Sequence, residues 1–139
     1  MHLATYFSKG GPLGDGLPAY IERIDETETI RIIRLRGAVG RDIGDDVAKL
    51  VEAMQQQGEV FEHCLLLDFA NATEVDFATV AFLVEALRRR TSNKSWVGVL
   101  NAPPALIAEL DMAKLTGLIR VFTNEDVAKA DAKKAEAGT

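Results

Sequence analysis

Cysteine occurs once in this sequence, at Cys64, so no disulfide can form within the chain. Positive charge is not in excess: 16 Lys and Arg stand against 21 Asp and Glu, for a formal net charge of -5. Such a chain lacks the basic face on which non-specific nucleic-acid binding depends, and no direct nucleic-acid contact is expected. No apolar run approaches the ~18 residues of a membrane span. The first residues also lack the basic-then-apolar order of a secretory signal. Membrane insertion and export are therefore not expected, and the expected location is the cytoplasm. Histidine occurs only at His2 and His63. His63 and Cys64 adjoin in an apolar run, where successive side chains point to opposite faces, and no third ligand or base accompanies them. Neither a zinc site nor a Cys–His nucleophile is indicated. The nucleotide patterns GxGxxG and GxxxxGK[ST] do not occur. No metal, cofactor or enzymatic chemistry is expected.

What remains is an ordinary globular composition, 47% hydrophobic and 27% charged over 139 residues, enough for one domain with its own core. Residues 1–18 hold Gly10, Gly11, Pro12, Gly14, Gly16 and Pro18, a density of breakers that predicts a flexible arm, with Tyr6 and Phe7 as stray aromatics or anchors. Residues 19–25 and 28–36 read as two strands joined by a turn at Asp25-Glu26-Thr27, and hence antiparallel. Gly37-Ala38-Val39-Gly40 interrupts the pattern. Val47, Leu50, Val51 and Met54 recur at helical spacing and predict a helix over residues 46–57, stopped by Gly58. A strand over 64–69 and a helix over 77–90 follow, then a strand over 96–100. Pro103 and Pro104 suit the start of another helix. Leu115-Thr116-Gly117-Leu118 turns into a strand over 119–122, and Asn124 is placed to cap a last helix from Glu125 to about Ala130. The Ala-, Lys- and Glu-rich tail 131–139 extends that helix or frays. The order ββαβαβαβα implies an α/β fold, a mixed and mostly parallel sheet flanked by helices.

The stretch from His63 to Arg90 carries the best site candidates. An apolar strand ends at Asp68, a polar segment, Asn71-Ala72-Thr73-Glu74, reads as a turn, and Asp76 stands where a helix N-cap belongs. The N-terminus of the helix over 77–90 offers free N–H groups and a positive dipole end. Asp76 serves either as a plain cap, contributing about 1 kcal/mol, or as part of a regulatory site. Asp68 at a strand end would suit a phosphoaccepting receiver, but no acidic pair follows the first strand ahead of a helix, and no lysine follows the last strand. Arg88-Arg89-Arg90 is read first as cations favoured at a helix C-terminus and only second as a phosphate site. Projected at about 100° per residue, Phe77, Val80, Leu83, Val84 and Leu87 share one broad face, assigned to the core. Ala78, Phe82, Ala86 and Arg89 fall on the other side, an apolar stripe suited to a partner.

These residues carry a resemblance. The block LLLDFANATEVDFATVAFLVEALRRR, then a strand, then NAPPALIAELDMAKLTGLIRVFTNEDVAKA, resembles the STAS domain family, which includes bacterial anti-sigma-factor antagonists. The matching features are Asp68, Asp76, Pro103 or Pro104, Leu115-Thr116-Gly117-Leu118 and Phe122. Leu35-Arg36-Gly37 resembles an earlier strand and glycine. The likeness covers residues 19–130. Family members typically open the helix with Asp-Ser-Ser-Gly, and in the antagonists the second Ser is phosphorylated by a partner kinase. Here Asp76 is followed by Phe77, Ala78 and Thr79, so Ala78, without a hydroxyl, stands at the phosphoserine position. The family's Glu-Leu-Asp after the strand glycine is replaced by Ala38-Val39-Gly40.

The resemblance implies a STAS-like single domain and a non-enzymatic interaction module in a bacterial partner-switching pathway. A phosphate at that helix start would add about -2 charge beside Asp76. Without the acceptor the switch is lost and binding is constitutive, unless Thr79, one residue on, takes the phosphate instead. The expected surface is Asp76, Phe77, Ala78, Thr79 and Phe82, with Gly40 and Arg41 from the loop after the second strand. The expected partner is an anti-sigma factor of the serine-kinase type or another STAS protein, and a homodimer is a further arrangement open to the chain. Two alternatives stand beside this: a STAS subunit of a larger signalling or lipid-transport assembly, and a small-ligand or nucleotide-binding domain using the same helix N-terminus.

Overall fold

The computed structural model describes residues 20–39, 64–76, 78–89 and 95–137. The strands are β1 (Ile21–Glu26), β2 (Ile30–Val39), β3 (Cys64–Val75), β4 (Val97–Leu100) and β5 (Ile119–Phe122), and the described helices are α1 (Ala78–Arg89), α2 (Pro104–Met112) and α3 (Glu125–Ala137). They form a five-stranded mixed sheet in the order β1-β2-β3-β4-β5. The β1–β2 pair is antiparallel, and β2–β3, β3–β4 and β4–β5 are parallel. The helix expected over 46–57 and the arm 1–18 lie outside the described residues.

Alternation along the central strands builds two cores. Ile33, Leu35, Leu65, Leu67, Val97, Val99 and Ile119 face one side, where Leu83 of α1 and Leu106 and Leu110 of α2 cover them. Fully burying each such leucine contributes about 1.5–3 kcal/mol. Ile30, Ile32, Cys64, Leu66, Trp96, Leu100 and Phe122 face the other side, against Ala128 and Ala132 of α3. Cys64 is thus a core residue, and its sulfur accepts the Trp96 N–H at 3.4 Å. The fully buried residues of α3 against this face are both alanines. There the Trp96 and Phe122 rings meet at 5.0 Å between centroids.

Local chemistry sets the helix ends. Pro103 and Pro104 open α2 as expected, since a proline in the first turn gives up no internal hydrogen bond. At the other end Lys114 takes a φ of +59°, and the Leu115 N–H donates to the Leu110 carbonyl at 2.8 Å. That is a left-handed cap built without glycine. Asn124 caps α3 through its Oδ1, which accepts the Val127 N–H at 3.1 Å. The helix runs on through the Ala- and Lys-rich segment to Ala137.

Three boundaries differ from the sequence expectation. β1 continues through Glu26, and the turn is made by residues 27–29, where Thr27 Oγ1 accepts the Thr29 and Ile30 N–H groups at 3.3 Å. β2 does not stop at Gly37. The glycine takes a φ of +63° and the strand goes on to Val39. Nor is Asn71-Ala72-Thr73-Glu74 a turn. It is the outer half of β3, pairing with β2 out to Val39 and Val75. Polar side chains read as a turn because this half of the strand is largely exposed. Backbone pairing with β2, which side chains do not reveal, keeps it extended.

Candidate interaction site

The polar residues of interest lie within β2 and β3, where the buried half of each strand ends. Arg34 and Asp68 occupy paired positions on β2 and β3. Two apolar half-strands, Ile30 and Ile32 on one and Cys64 and Leu66 on the other, lead up to them on the α3 face. Arg34 Nη1 donates to Asp68 Oδ2 at 3.0 Å, and its Nε donates to Asp25 Oδ2 at 2.8 Å. Nη1 also donates to Glu125 Oε1, at the first residue of α3. One guanidinium therefore ties β1, β2, β3 and α3 together. The Arg34 side chain is 12% exposed and the Asp68 side chain 10%. Hydrogen bonding to Glu125 is the main cause that raises the Arg34 pKa; burial opposes it, and Asp25 and Asp68 add to it. The same bond, joined by one from Lys129, pulls Glu125 down to about 2. Burial works against the charge on Asp25, but hydrogen bonds from Arg34 and Arg23 more than offset it and leave that carboxyl below its usual range.

The second oxygen of Asp68 acts locally. Oδ1 accepts the Ala70 N–H at 2.9 Å and the Asn101 side-chain amide at 3.5 Å. At this point β3 gains a residue on β2: Arg34 pairs with Asp68, but Arg36 pairs with Asn71. A second extra residue lies between Ala72 and Glu74, opposite Gly37 and Ala38. Such bulges re-aim a strand. A Cβ on Gly37 would meet nothing within 4 Å, so its left-handed φ, and not a lack of room, is what calls for glycine.

The bulged strand delivers Asp76 to the start of α1. Asp76 is exposed, its N–H donates to the Val39 carbonyl at 2.9 Å, and its own carbonyl accepts the Thr79 N–H at 3.0 Å. The exit of β2 therefore lies beside the start of α1. Gly40 and Arg41, one and two residues past Val39, fall outside the described residues, as do Phe77 and the side chains of Ala78 and Phe82. Thr79 is 0% exposed, and its Oγ1 has no hydrogen-bond partner among the described residues. That burial weighs against Thr79 as a phosphoacceptor, because a kinase would have to reach a hydroxyl packed under the helix.

Sequence reasoning singled out Asp68 and missed its partners. In sequence Arg34 is one of three arginines, with Arg31 and Arg36, set among Ile30, Ile32, Ile33 and Leu35, and Glu125 is the residue after the Asn124 cap. The usable signal was the period of two, which sets Arg34 and Asp68 on the same face as Ile32 and Leu66, so that opposite charges end two apolar half-strands. Among the described residues no group of three or more His, Cys, Asp or Glu could hold a metal ion, and no helix is long and apolar enough to cross a membrane.

A family model described as Mlab, STAS domain, matches residues 23–120. No curated protein matches the sequence. Among solved structures, TM1081 from Thermotoga maritima superposes with a TM-score of 0.63 at 10% identity, over 80% of this chain and 93% of that one. The anti-sigma factor antagonist SpoIIAA in its unphosphorylated form gives 0.57 at 16% identity, over 78% and 93%. The Bacillus cell fate determinant SpoIIAA in its phosphorylated form gives 0.53 at 17%, over 78% and 96%.

Proposed function

The chain belongs to the STAS domain family, and we propose that it is a non-enzymatic interaction module, an antagonist-like regulator in a partner-switching pathway whose partner surface does not depend on phosphorylation. The surface is the start of α1, Asp76, Phe77, Ala78, Thr79 and Phe82, together with Gly40 and Arg41, the residues that follow β2 in sequence. Thr79 contributes through its backbone and its packing. The partner is a protein: an anti-sigma factor of the serine-kinase type or another STAS protein. The observation that carries this reading is the backbone bond from Asp76 to Val39, which sets the exit of β2 against the helix start. The only hydroxyl in the first turn that follows Asp76, on Thr79, is buried, and Ala78 has none. In place of a switchable anion, this surface offers a fixed carboxylate and apolar groups.

Incubation with the cognate kinase and ATP should leave the protein unmodified, by intact-mass spectrometry, while it still binds its partner. Phosphate on Thr79 would overturn the constitutive reading. A second reading, a STAS subunit of a larger signalling or lipid-transport assembly, draws on the matching family model, whose description names Mlab and no sigma factor. Under that reading the partners recovered from the native host would be components of one stable complex. Thermal shift with nucleotides and lipids addresses the small-ligand alternative: stabilisation by such a ligand, with no protein partner, would favour it.

A further inference from the structure

The proposed partner surface begins at Asp76, and the segment leading to it takes its register from a carboxylate that answers to α3. Asp68 Oδ1, by accepting the Ala70 N–H at 2.9 Å, curls the backbone where β3 gains its first extra residue. From there the strand runs, offset from β2, to the Asp76 N–H bond with Val39. Asp68 Oδ2 is held by Arg34 Nη1, the nitrogen that also binds Glu125 at the first residue of α3. One nitrogen therefore serves both the carboxylate that fixes the bulge and the carboxylate that seats the helix. Farther along, α3 meets the sheet through the buried Ala128 and Ala132 and through the partly exposed ion pair of Asp131 with Arg120 on β5, at 3.6 Å.

We propose that Arg34 is a positioning residue that couples the seating of α3 to the register of residues 69–76, so that drawing Glu125 off Arg34 loosens the start of α1. The guanidinium is held at three points: by Asp25 on Nε and by Asp68 and Glu125 on Nη1. Without Glu125 it has two, the first turn of α3 loses its tie to the sheet, and water gains access to Asp68. The Asp68 bond to the Ala70 N–H then competes with hydration, and the bulge is no longer fixed. Both ends of the coupling are backbone-anchored elements joined by direct hydrogen bonds, a contiguous physical path. The consequence for partner binding rests on the proposed function, but the mechanics do not.

The test is hydrogen exchange on the full chain, comparing wild type with Glu125→Ala, which removes the acceptor altogether, and with Lys134→Gln, an exposed position elsewhere on α3. In Glu125→Ala the amides of Ala70, Asp76 and Thr79 should exchange about five- to tenfold faster, the low end of intersite couplings. Those of Val97–Leu100 should be unchanged, and Lys134→Gln should match wild type. Arg34→Lys, which keeps the charge but loses the fork, should reproduce the local pattern. Unchanged exchange at the three amides in Glu125→Ala would overturn the coupling. A rise of equal size in β4 would also overturn it, by showing a structural role alone. If the amides loosen while Phe82→Glu keeps every partner, the coupling stands and the assigned partner surface is wrong. If Phe82→Glu loses the partner while the amides do not move, the reverse holds.

Discussion

With Asp25, Asp68 and Glu125 all hydrogen-bonded to its guanidinium, Arg34 cannot become neutral without leaving three carboxylates facing one another. Breaking a buried pair from one side costs about 3–5 kcal/mol, so Arg34→Met should lower the urea midpoint sharply while Arg23→Met, at an exposed pair, should not. The pH dependence has a defined sign. Glu125 is depressed from 4.5 to about 2, so its contribution is complete above the unfolded value and is lost as pH falls through the folded one. The stability gap between wild type and Glu125→Gln should therefore be widest above about pH 5 and close toward about pH 2; a gap that persisted at pH 2 would contradict the assignment. Thr79 gives a contrasting case. Its buried hydroxyl lacks a partner among the described residues, and replacing an unsatisfied polar group by an apolar one of the same shape is neutral or stabilising. Thr79→Val should fold with an unchanged or higher melting temperature and keep its partner, whereas a phosphoacceptor role would make it a regulatory mutant.

At the scale of elements, the α3 face depends on small residues. A Cβ on Gly98 would lie 3.0 Å from the Arg120 carbonyl oxygen, 3.1 Å from Trp96 Cζ3 and 3.3 Å from Phe122 Cε2. Backbone and ring edges cannot give way cheaply, so Gly98→Ala should destabilise by about 1–3 kcal/mol, as overpacked cores do. Denaturant titration followed by Trp96 fluorescence would measure it, since Trp96 lies in that same contact. Ala132→Leu should cost a similar amount by lifting α3 off the sheet, and Val127→Asp, at an exposed position of the same helix, should be nearly neutral. Equal effects for the two would mean that α3 does not pack through its alanines.

Across the whole molecule, legibility in sequence follows side-chain periodicity. A short apolar run marked β4, the Leu115-Thr116-Gly117-Leu118 turn led into β5, and proline- and asparagine-started helices marked α2 and α3, because local side chains and caps determine them. The outer half of β3 was not announced. Asn71, Thr73 and Glu74 are exposed, and only pairing with Arg36 to Val39 makes the segment a strand. The continuation of β2 through Gly37 was hidden for the same reason, since backbone bonding to a distant partner overrides a local breaker. The Arg34 cluster was hidden because it joins residues 34 and 125, which no local pattern connects. The place of Asp76 ahead of α1 was legible because helix-start signals are local, while the bulge that leads to it was not.

The proposed function has this STAS domain bind a protein through the start of α1. The most direct measurement is quantitative pull-down from the native host with wild type and Phe82→Glu, both checked for equal melting temperature. We predict that Phe82→Glu loses a partner that wild type captures, by about tenfold or more in recovered amount, as expected for a charge placed in an apolar contact. If Phe82→Glu retains every partner, the surface assigned here is not the one the protein uses.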